Sequence, residues 1–416
     1  MPLTKVKAEM LDVDKDISIN GAISGTGTGA DNLRFGKLAL TSNTTGTDNT
    51  AIGANALTDN TVGEQNTAIG SNALAINTDG DLNTAIGKMA LFQNTSGSYN
   101  TAVGVNSLYN NTTGYDNVAI GVNALNQNTS GYKNFAIGPT SLYSNTSGHN
   151  NIGVGINALN DNTNGTRNVA IGHFSLKSNG SGEYNTAVGW NTLYHNTGYD
   201  NTAVGASALT NNTIGNDNTA IGVNALFNNV SWENTSGVGQ NAQVTGSNQV
   251  QLGDSATTTY AYGTVQNRSD ERDKTDIRDT ELGLEFVKAL RPVDFKWDMR
   301  EDYRPEPPEL PNENATDEEK SAYDTAKAQW IEDVKLANIT RDGSKKRNRF
   351  HHGLIAQEVK AVLDDKGIDF GGFQDHKIAG GDDVLSIGYD ELIAPMIKAI
   401  QELSAEVASL KAELNK

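Results

Sequence analysis

The chain is built on one stretch, Asn66-Thr67-Ala68-Ile69-Gly70-Ser71-Asn72-Ala73-Leu74, which recurs through the first half of its 416 residues. The central glycine returns every 17 residues from Gly36 to Gly189, after one step of 16 at Gly205, and again at Gly222 and Gly239. A polar loop, usually containing Asn-Thr-x-Gly, follows each unit. Because so many registers agree, the repeat is not accidental. A repeat this short is one coil of a solenoid and not a domain.

The apolar residues of the repeat form two ladders along the sequence. Isoleucine and valine make one ladder, from Ile52 to Val238, and leucine makes the other, from Leu57 to Leu226. β-Branched residues in a short alternating segment favour a strand, whereas the Asn, Thr and Gly of the loops oppose a helix. The sequence therefore predicts a mainly β fold, a parallel β-roll or β-solenoid of 17-residue coils.

The coils have few large apolar side chains. With about two in each coil, a single stack has a thin core, since stability rests on buried apolar area. Burial of the ladders against other copies of the chain would add to that core. We therefore expect a homotrimer, with a monomeric β-solenoid as the alternative.

Charge and composition exclude several classes of protein. The net charge of -18 argues against nucleic acid as a partner, and the absence of cysteine excludes disulfides and thiolate metal sites. Nothing in the sequence calls for a metal or another cofactor. The N-terminus lacks the apolar core of a signal peptide, and no window has the roughly 18 apolar residues that a membrane span needs. We expect no insertion into a membrane.

Aromatic residues are concentrated in the loops between the predicted strands. Exposed aromatic rings beside Asn and Asp can bind sugars by stacking and hydrogen bonding. The alternative is that these rings pack the loops or close seams between chains. The residues concerned are Tyr99, Tyr109, Tyr115, Tyr132, Tyr143, Tyr184, Tyr194, Tyr199, Trp190 and Trp232.

Two segments flank the repeats. Residues 1–31 combine a short alternating stretch with a run of Gly and Thr, which indicates either an attachment segment or a frayed terminus. Residues 248–268 alternate apolar and polar side chains at their start, and we interpret them as a β neck that follows the repeats of residues 32–247.

The repeats resemble the head repeats of trimeric autotransporter adhesins, in which a similar Ala-Ile-Gly motif builds a parallel β-roll. The resemblance covers roughly residues 32–255, although those heads usually have a shorter repeat. It implies a trimeric, elongated binding module.

The chain changes character at Ser269-Asp270-Glu271-Arg272-Asp273-Lys274, and Gly283 to Val293 and His351 to Val359 carry further motifs in order. Together they resemble the endosialidase-type intramolecular chaperones, self-releasing serine autopeptidases at the ends of phage tail spikes and fibres. The resemblance implies cleavage between Arg268 and Ser269. It also implies a dyad in which Ser269 is the nucleophile and Lys274 its activating partner.

Other features of residues 269–416 concern assembly. Residues 317–338 read as an inserted helical arm, and His351 and His352 are expected to open a helix or to pack at a chain interface. Apolar residues from Ile393 to Leu414 recur at alternating steps of three and four, which predicts a C-terminal coiled coil. The alternative is an amphipathic helix that lies on its own domain. Residues 269–416 are thus predicted to be an α+β chaperone domain.

The resulting hypothesis is a homotrimeric phage tail fibre or tail spike. It would attach to the virion through its N-terminus and bind a polysaccharide or protein receptor on the host cell surface. It would assemble in the host cytoplasm, and its only enzymatic activity would be self-cleavage. A bacterial trimeric surface adhesin and a polysaccharide-depolymerising tail spike are the alternatives.

Overall fold

The computed structural model describes residues 31–254, 257, 274–305, 308, 315–379 and 383–415. The chain divides into two compact units, residues 1–197 and residues 198–416. The shortened 16-residue repeat spans this division. The predicted attachment segment, residues 1–31, lies almost wholly outside the described residues.

The first unit contains ten three-residue strands, each parallel to the next in chain order. Equivalent residues 17 positions apart are paired, as Thr67 is with Thr84. One strand per coil, stacked in register, is a parallel β-solenoid, so the predicted fold is confirmed. The strands are β1 (Leu33–Phe35), β2 (Thr50–Ile52), β3 (Thr67–Ile69), β4 (Thr84–Ile86), β5 (Thr101–Val103), β6 (Val118–Ile120), β7 (Phe135–Ile137), β8 (Ile152–Val154), β9 (Val169–Ile171) and β10 (Thr186–Val188).

The two apolar ladders lie on different sides of the coil wall. The leucines, such as Leu74 and Leu91, are completely buried together with the central alanine of most strands. The Ile and Val side chains point outward, and Ile86 retains 39% of its accessible surface. A single chain therefore already buries the leucine ladder, whereas the Ile/Val ladder forms a half-exposed apolar column on the sheet.

Two columns of asparagine complete the interior of the coils. Asn94 is fully buried, and its Nδ2 donates to Asn77 Oδ1 at 2.7 Å and to the Gly97 carbonyl at 2.8 Å. In the second column, Asn83 Oδ1 accepts the backbone N–H of Asn100 at 3.0 Å. The sequence analysis gave these asparagines no structural role of their own. They are buried because each amide satisfies polar groups of its own and the neighbouring coil.

The marker glycines are required by the close stacking of coils. Gly87 has φ +135°, and a Cβ built there would meet the carbonyl oxygen of Gly104 at 2.6 Å. No side chain fits between backbones at that separation. The leucine ladder is also unusual, because its residues, including Leu91 at φ +54°, adopt the left-handed conformation. Such strain persists only where packing over-determines it.

The second unit opens with four more strands of the repeat and continues into an α+β domain. The strands β11–β14 are again parallel and paired in chain order, and β14 lies in the predicted neck. Two antiparallel pairs follow, β15 with β16 and β17 with β18. The elements are β11 (Thr202–Val204), β12 (Thr219–Ile221), β13 (Ser236–Val238), β14 (Val250–Leu252), α1 (Leu284–Ala289), β15 (Val293–Phe295), α2 (Asp317–Asp333), β16 (His351–Gly353), α3 (Ala356–Lys366), β17 (Phe373–Asp375), β18 (Leu385–Ile387) and α4 (Ile393–Leu414).

The α+β domain has a small core. Five buried residues form it, with Phe286 and Phe370 in ring contact at 5.8 Å: Phe286, Val359, Leu363, Phe370 and Leu392. Helix α1 packs against α4, and α3 packs against β17 and β18. The predicted helical arm is present as α2, whose start is fixed by a reciprocal capping box between Thr316 and Glu319.

Helix α4 is 22 residues long and carries an exposed apolar stripe. Its predicted heptad residues face solvent in the single chain: Ile393, Met396, Ile400, Leu403, Val407, Leu410 and Leu414. The helix is thus present as predicted, and its stripe is not buried on its own domain, as the alternative required. Pairing with other copies remains a prediction.

Candidate functional site

The predicted cleavage site lies at the start of the α+β domain. Arg268 and Ser269 fall outside the described residues. Lys274 is the first described residue of the domain, and it is exposed in an irregular segment that leads to α1. The structure therefore places one member of the predicted dyad and leaves the dyad geometry as a prediction.

The segment after Lys274 is anchored to the long C-terminal helix. The backbone N–H of Leu284 donates to Glu402 Oε2 at 2.6 Å, and Phe286 enters the core two residues later. A Cβ at Gly283 would overlap the same carboxylate, which would have to move aside. The start of the domain thus depends directly on α4, the helix with the unpaired apolar stripe.

Polar side chains connect the last coil of repeats to the α+β domain. Nδ1 of His376 lies 2.7 Å from Thr245 Oγ1 and 2.9 Å from Gln249 Nε2, and its Nε2 lies 2.9 Å from Ser386 Oγ. Since Gln249 Oε1 accepts the Thr245 N–H, its Nε2 is the donor to His376. The imidazole is therefore an acceptor at Nδ1 and a donor at Nε2.

An aromatic contact adds a second connection between the same two regions. Trp330 on α2 is buried and meets the ring of Phe227 edge to face, with centroids 6.0 Å apart. Its indole N–H donates to the Pro305 carbonyl at 2.9 Å. The helical arm therefore rests on a coil of the repeat. The sequence analysis predicted the arm but had no signal for the partner of Trp330.

The histidine pair His351–His352 does not open a helix. Both residues lie in strand β16, and α3 begins only at Ala356. His352 faces Asp294 across the β15–β16 pair and contacts its carboxylate, while the ring of His351 packs beside Phe295 at 6.0 Å. The first part of that interpretation is wrong, because alternation of the two side chains across a strand governs this segment.

The loop aromatics divide into exposed and packed sets. Those exposed are Tyr99, Tyr115, Tyr184, Tyr199 and Trp190. Those half-buried or buried are Tyr109, Tyr132, Tyr143, Tyr194 and Trp232. Tyr109 stacks on Phe92 at 5.2 Å, so at least part of the packed set serves the coils themselves.

Neither metal-binding nor membrane-spanning features occur in the parts of the chain that the structure describes. No group of three or more His, Asp or Glu side chains there is placed to hold a metal ion. Among the described helices, none is both long and apolar enough to cross a bilayer.

Comparison with known proteins supplies a family for one segment. A search of curated proteins gave no significant match. Residues 269–317 match the family model of peptidase S74, the chaperone of endosialidase, and the match begins at the serine predicted to be the nucleophile. The chain thus has a chaperone-of-endosialidase segment directly after a β-solenoid of 17-residue repeats, a combination consistent with a phage tail fibre or tail spike.

Proposed function

We propose that the protein is a homotrimeric, receptor-binding tail fibre or tail spike of a phage. Its C-terminal domain would be an intramolecular chaperone that aligns three chains and then removes itself by cleavage between Arg268 and Ser269. The observation that carries this proposal is the chaperone-of-endosialidase match, which starts at Ser269. The family implies a trimeric phage tail protein.

Two exposed apolar surfaces support the trimer. The Ile/Val column runs along the solenoid sheet, and the α4 stripe presents residues such as Ile400, which is 67% exposed. Burial of one such side chain contributes roughly 1.5–3 kcal/mol. Copies of the same chain are suitable partners, since identical columns and heptads repeat at identical spacing.

A chaperone role fits the folding problem that the repeats pose. Strands β1–β10 pair at a separation of 17 residues, and adjacent coils look alike, so three chains can pair out of register. The α4 helices would fix the register first, and the contacts of His376 and Trp330 would hold the last coils beside them. Cleavage would then leave the trimer without its folding device, which favours kinetic stability.

The proposed cleavage is an acyl transfer within the chain. The Ser269 hydroxyl gives its proton to Lys274 and attacks the carbonyl carbon of Arg268. The bond from that carbon to the Ser269 nitrogen then breaks, and Lys274 passes the proton to the leaving nitrogen, so the peptide bond is replaced by an ester and a free amine. Water then hydrolyses the ester and leaves a carboxylate on Arg268 and a free amine on Ser269. A lysine acts as a base only where burial or nearby positive charge favours its neutral form. Lys274 is exposed in the single chain, so assembly would trigger the reaction.

The remaining parts of the proposal concern place and partner. The N-terminal segment would attach the trimer to the virion after assembly in the host cytoplasm. The solenoid would present its loops to a polysaccharide or protein receptor on the host cell surface. Exposed aromatic side chains on those loops, including Tyr99 and Tyr184, support a binding role.

Intact-mass measurement of the purified protein tests the self-cleavage. Wild type is expected as two fragments that meet at Arg268 and Ser269, whereas Ser269→Ala and Lys274→Ala stay full length. Lys288→Ala is the matched control, because Lys288 is an exposed lysine of the same domain that pairs with Glu285. It should be cleaved like the wild type.

Light scattering of the same samples tests the trimer. Uncleaved Ser269→Ala protein should have the mass of three chains. A monomeric Ser269→Ala protein contradicts the assembly role, and a full-length wild type contradicts the cleavage. Either result would remove the corresponding part of the proposal independently of the other.

A further inference from the structure

One edge of the first unit carries a row of rings and polar side chains outside the buried leucine and asparagine ladders. The row occupies the two positions after the loop glycine of successive coils. The residues, which we name the tyrosine edge, are Tyr99, Tyr115, Asp116, Tyr132, Lys133, His149, Asn150, Arg167 and Tyr184.

The backbone beneath the edge is held in place from coil to coil. The backbone N–H of Lys133 donates to the Tyr115 carbonyl at 3.0 Å, and that of Asn150 to the Tyr132 carbonyl at 3.1 Å. The same bond connects Arg167 to His149. Side chains on such a backbone are spaced by one strand separation, about 4.8 Å. They form a rigid platform that loses little entropy when a ligand binds.

The rings of the edge form a short stack with an end. Tyr115 and Tyr132 are parallel within 4°, with centroids 4.8 Å apart, and His149 meets Tyr132 at 4.6 Å. The coil before Tyr115 has Ser98 at the same position, and a serine is too short to continue the stack. The stack therefore ends at Tyr115, which is 41% exposed and offers the C–H groups of a sugar ring its electron-rich face.

Polar groups line the stack with both donors and acceptors. Asp116, Lys133 and Asn150 are exposed beside it. Arg167 is oriented by Tyr184, because its Nη1 donates to the phenol oxygen at 2.6 Å and its guanidinium lies 5.0 Å from the ring centre. Nδ1 of His149 is buried without a hydrogen-bond partner, and a rotation of that ring would offer it to a ligand hydroxyl.

We propose that the tyrosine edge binds a carbohydrate chain laid along the solenoid, with a sugar ring on Tyr115 and hydroxyl groups on the flanking polar side chains. A sugar fits this surface better than a peptide, because the platform is shallow, rigid and rich in both donors and acceptors. The inference rests on the proposed receptor-binding function and names its ligand class and its site.

The test is a glycan array of bacterial surface oligosaccharides probed with the purified full-length protein, followed by titration calorimetry on the best oligosaccharide. Tyr115→Ala should weaken binding roughly tenfold, since it removes the ring on which the sugar stacks. Tyr132→Ala should weaken it less, since it removes only the ring that supports Tyr115. Tyr109→Ala is the matched control: it removes a stacked, half-buried ring away from the edge. Its binding should equal that of the wild type.

Three results overturn the inference: binding to no glycan, equal loss in Tyr109→Ala, and loss of the trimer in the edge variants. The last would make the edge a seam between chains. Cleavage and trimer mass are measured on the same samples. Glycan binding that fails in a protein that cleaves and trimerises removes only this inference, whereas failure of cleavage and trimerisation removes the proposed function.

Discussion

The solenoid coils and the α+β domain solve the problem of a thin core in opposite ways. A coil buries a leucine, an alanine and two asparagines, and each amide satisfies the next coil. The α+β domain has a core of five residues and leaves the apolar stripe of α4 in water. The coils thus obtain stability from their neighbours along the chain, whereas under the proposed function the domain would obtain it from other chains. The predictions below separate these two sources.

The largest effect is expected from a side chain between coils. Gly87→Ala places a methyl group against the Gly104 carbonyl at a position with φ +135°, so strain and overlap should cost roughly 3 kcal/mol or more. Thermal unfolding followed by circular dichroism should show a lower midpoint for the repeats. The control is Gly180→Ala, where φ is +58° and no atom lies within 4 Å of the added Cβ. If both variants melt alike, close stacking does not govern the coils.

A smaller loss of stability is expected when the buried asparagine column is interrupted. Asn94→Ala leaves Asn77 Oδ1, the Gly97 carbonyl and Asn111 Nδ2 each without one bond, which should cost about 2–3 kcal/mol. Denaturant unfolding of the repeats is the measurement.

The matched control for that change is Asn110→Ala. Asn110 is half-buried and its side chain donates one bond, of 2.9 Å, to Gln127, so its loss should be less than about 1 kcal/mol. If both variants lose the same unfolding free energy, the asparagine columns act through backbone preference and not through buried hydrogen bonds.

Ile400→Asp should weaken the proposed contacts between chains. It removes apolar surface worth roughly 2 kcal/mol per chain and brings three carboxylates together at the proposed coiled-coil seam. In the Ser269→Ala background, light scattering should show monomers while a monomer's own coils retain their β signal. Ser409→Asp, at an exposed polar position on the same helix, should remain trimeric. A trimeric Ile400→Asp protein would show that α4 does not join the chains.

The smallest effect concerns Lys327 on α2. Burial lowers the pKa of this lysine from its ordinary value of 10.5 to about 8. Between these two values the unfolded chain binds more protons than the folded one, so stability of the arm should rise with pH from about 8 to 10.5. Lys327→Met should remove this rise, which is measured by comparing the melting temperature at pH 8 and at pH 10.5. Unchanged pH dependence in the variant would assign the titration to another group.

The sequence predicted the coils well because the repeat itself reports which positions are equivalent. It gave no role to the asparagines, since the burial of an amide column depends on the stacking of identical residues, which polarity alone does not indicate. It also expected both apolar ladders to be buried against other chains. Leu91 lies in a left-handed turn, and the alternation of side chains along a strand does not show on which side of the coil wall such a residue lies.

The α+β domain was predictable at the level of helices and motifs but not of contacts. The heptads of α4 and the arm α2 follow from side-chain spacing and composition. By contrast, the pairing of Phe227 with Trp330 and of Thr245 with His376 joins residues more than 100 positions apart. No local pattern encodes such pairs. The His351–His352 strand was missed for a related reason, because its partner strand β15 is remote.

The coil-by-coil bonding of the amide columns also has a mechanical consequence. Under a load applied along the stack, each coil is held by its own set of amide and backbone bonds, so the coils should detach one after another. A released coil of 17 residues adds roughly 55–60 Å of extended chain. A single-molecule pulling experiment should record a series of extension steps of nearly equal length. A fibre built in this way would respond to a sudden load by unfolding one coil at a time.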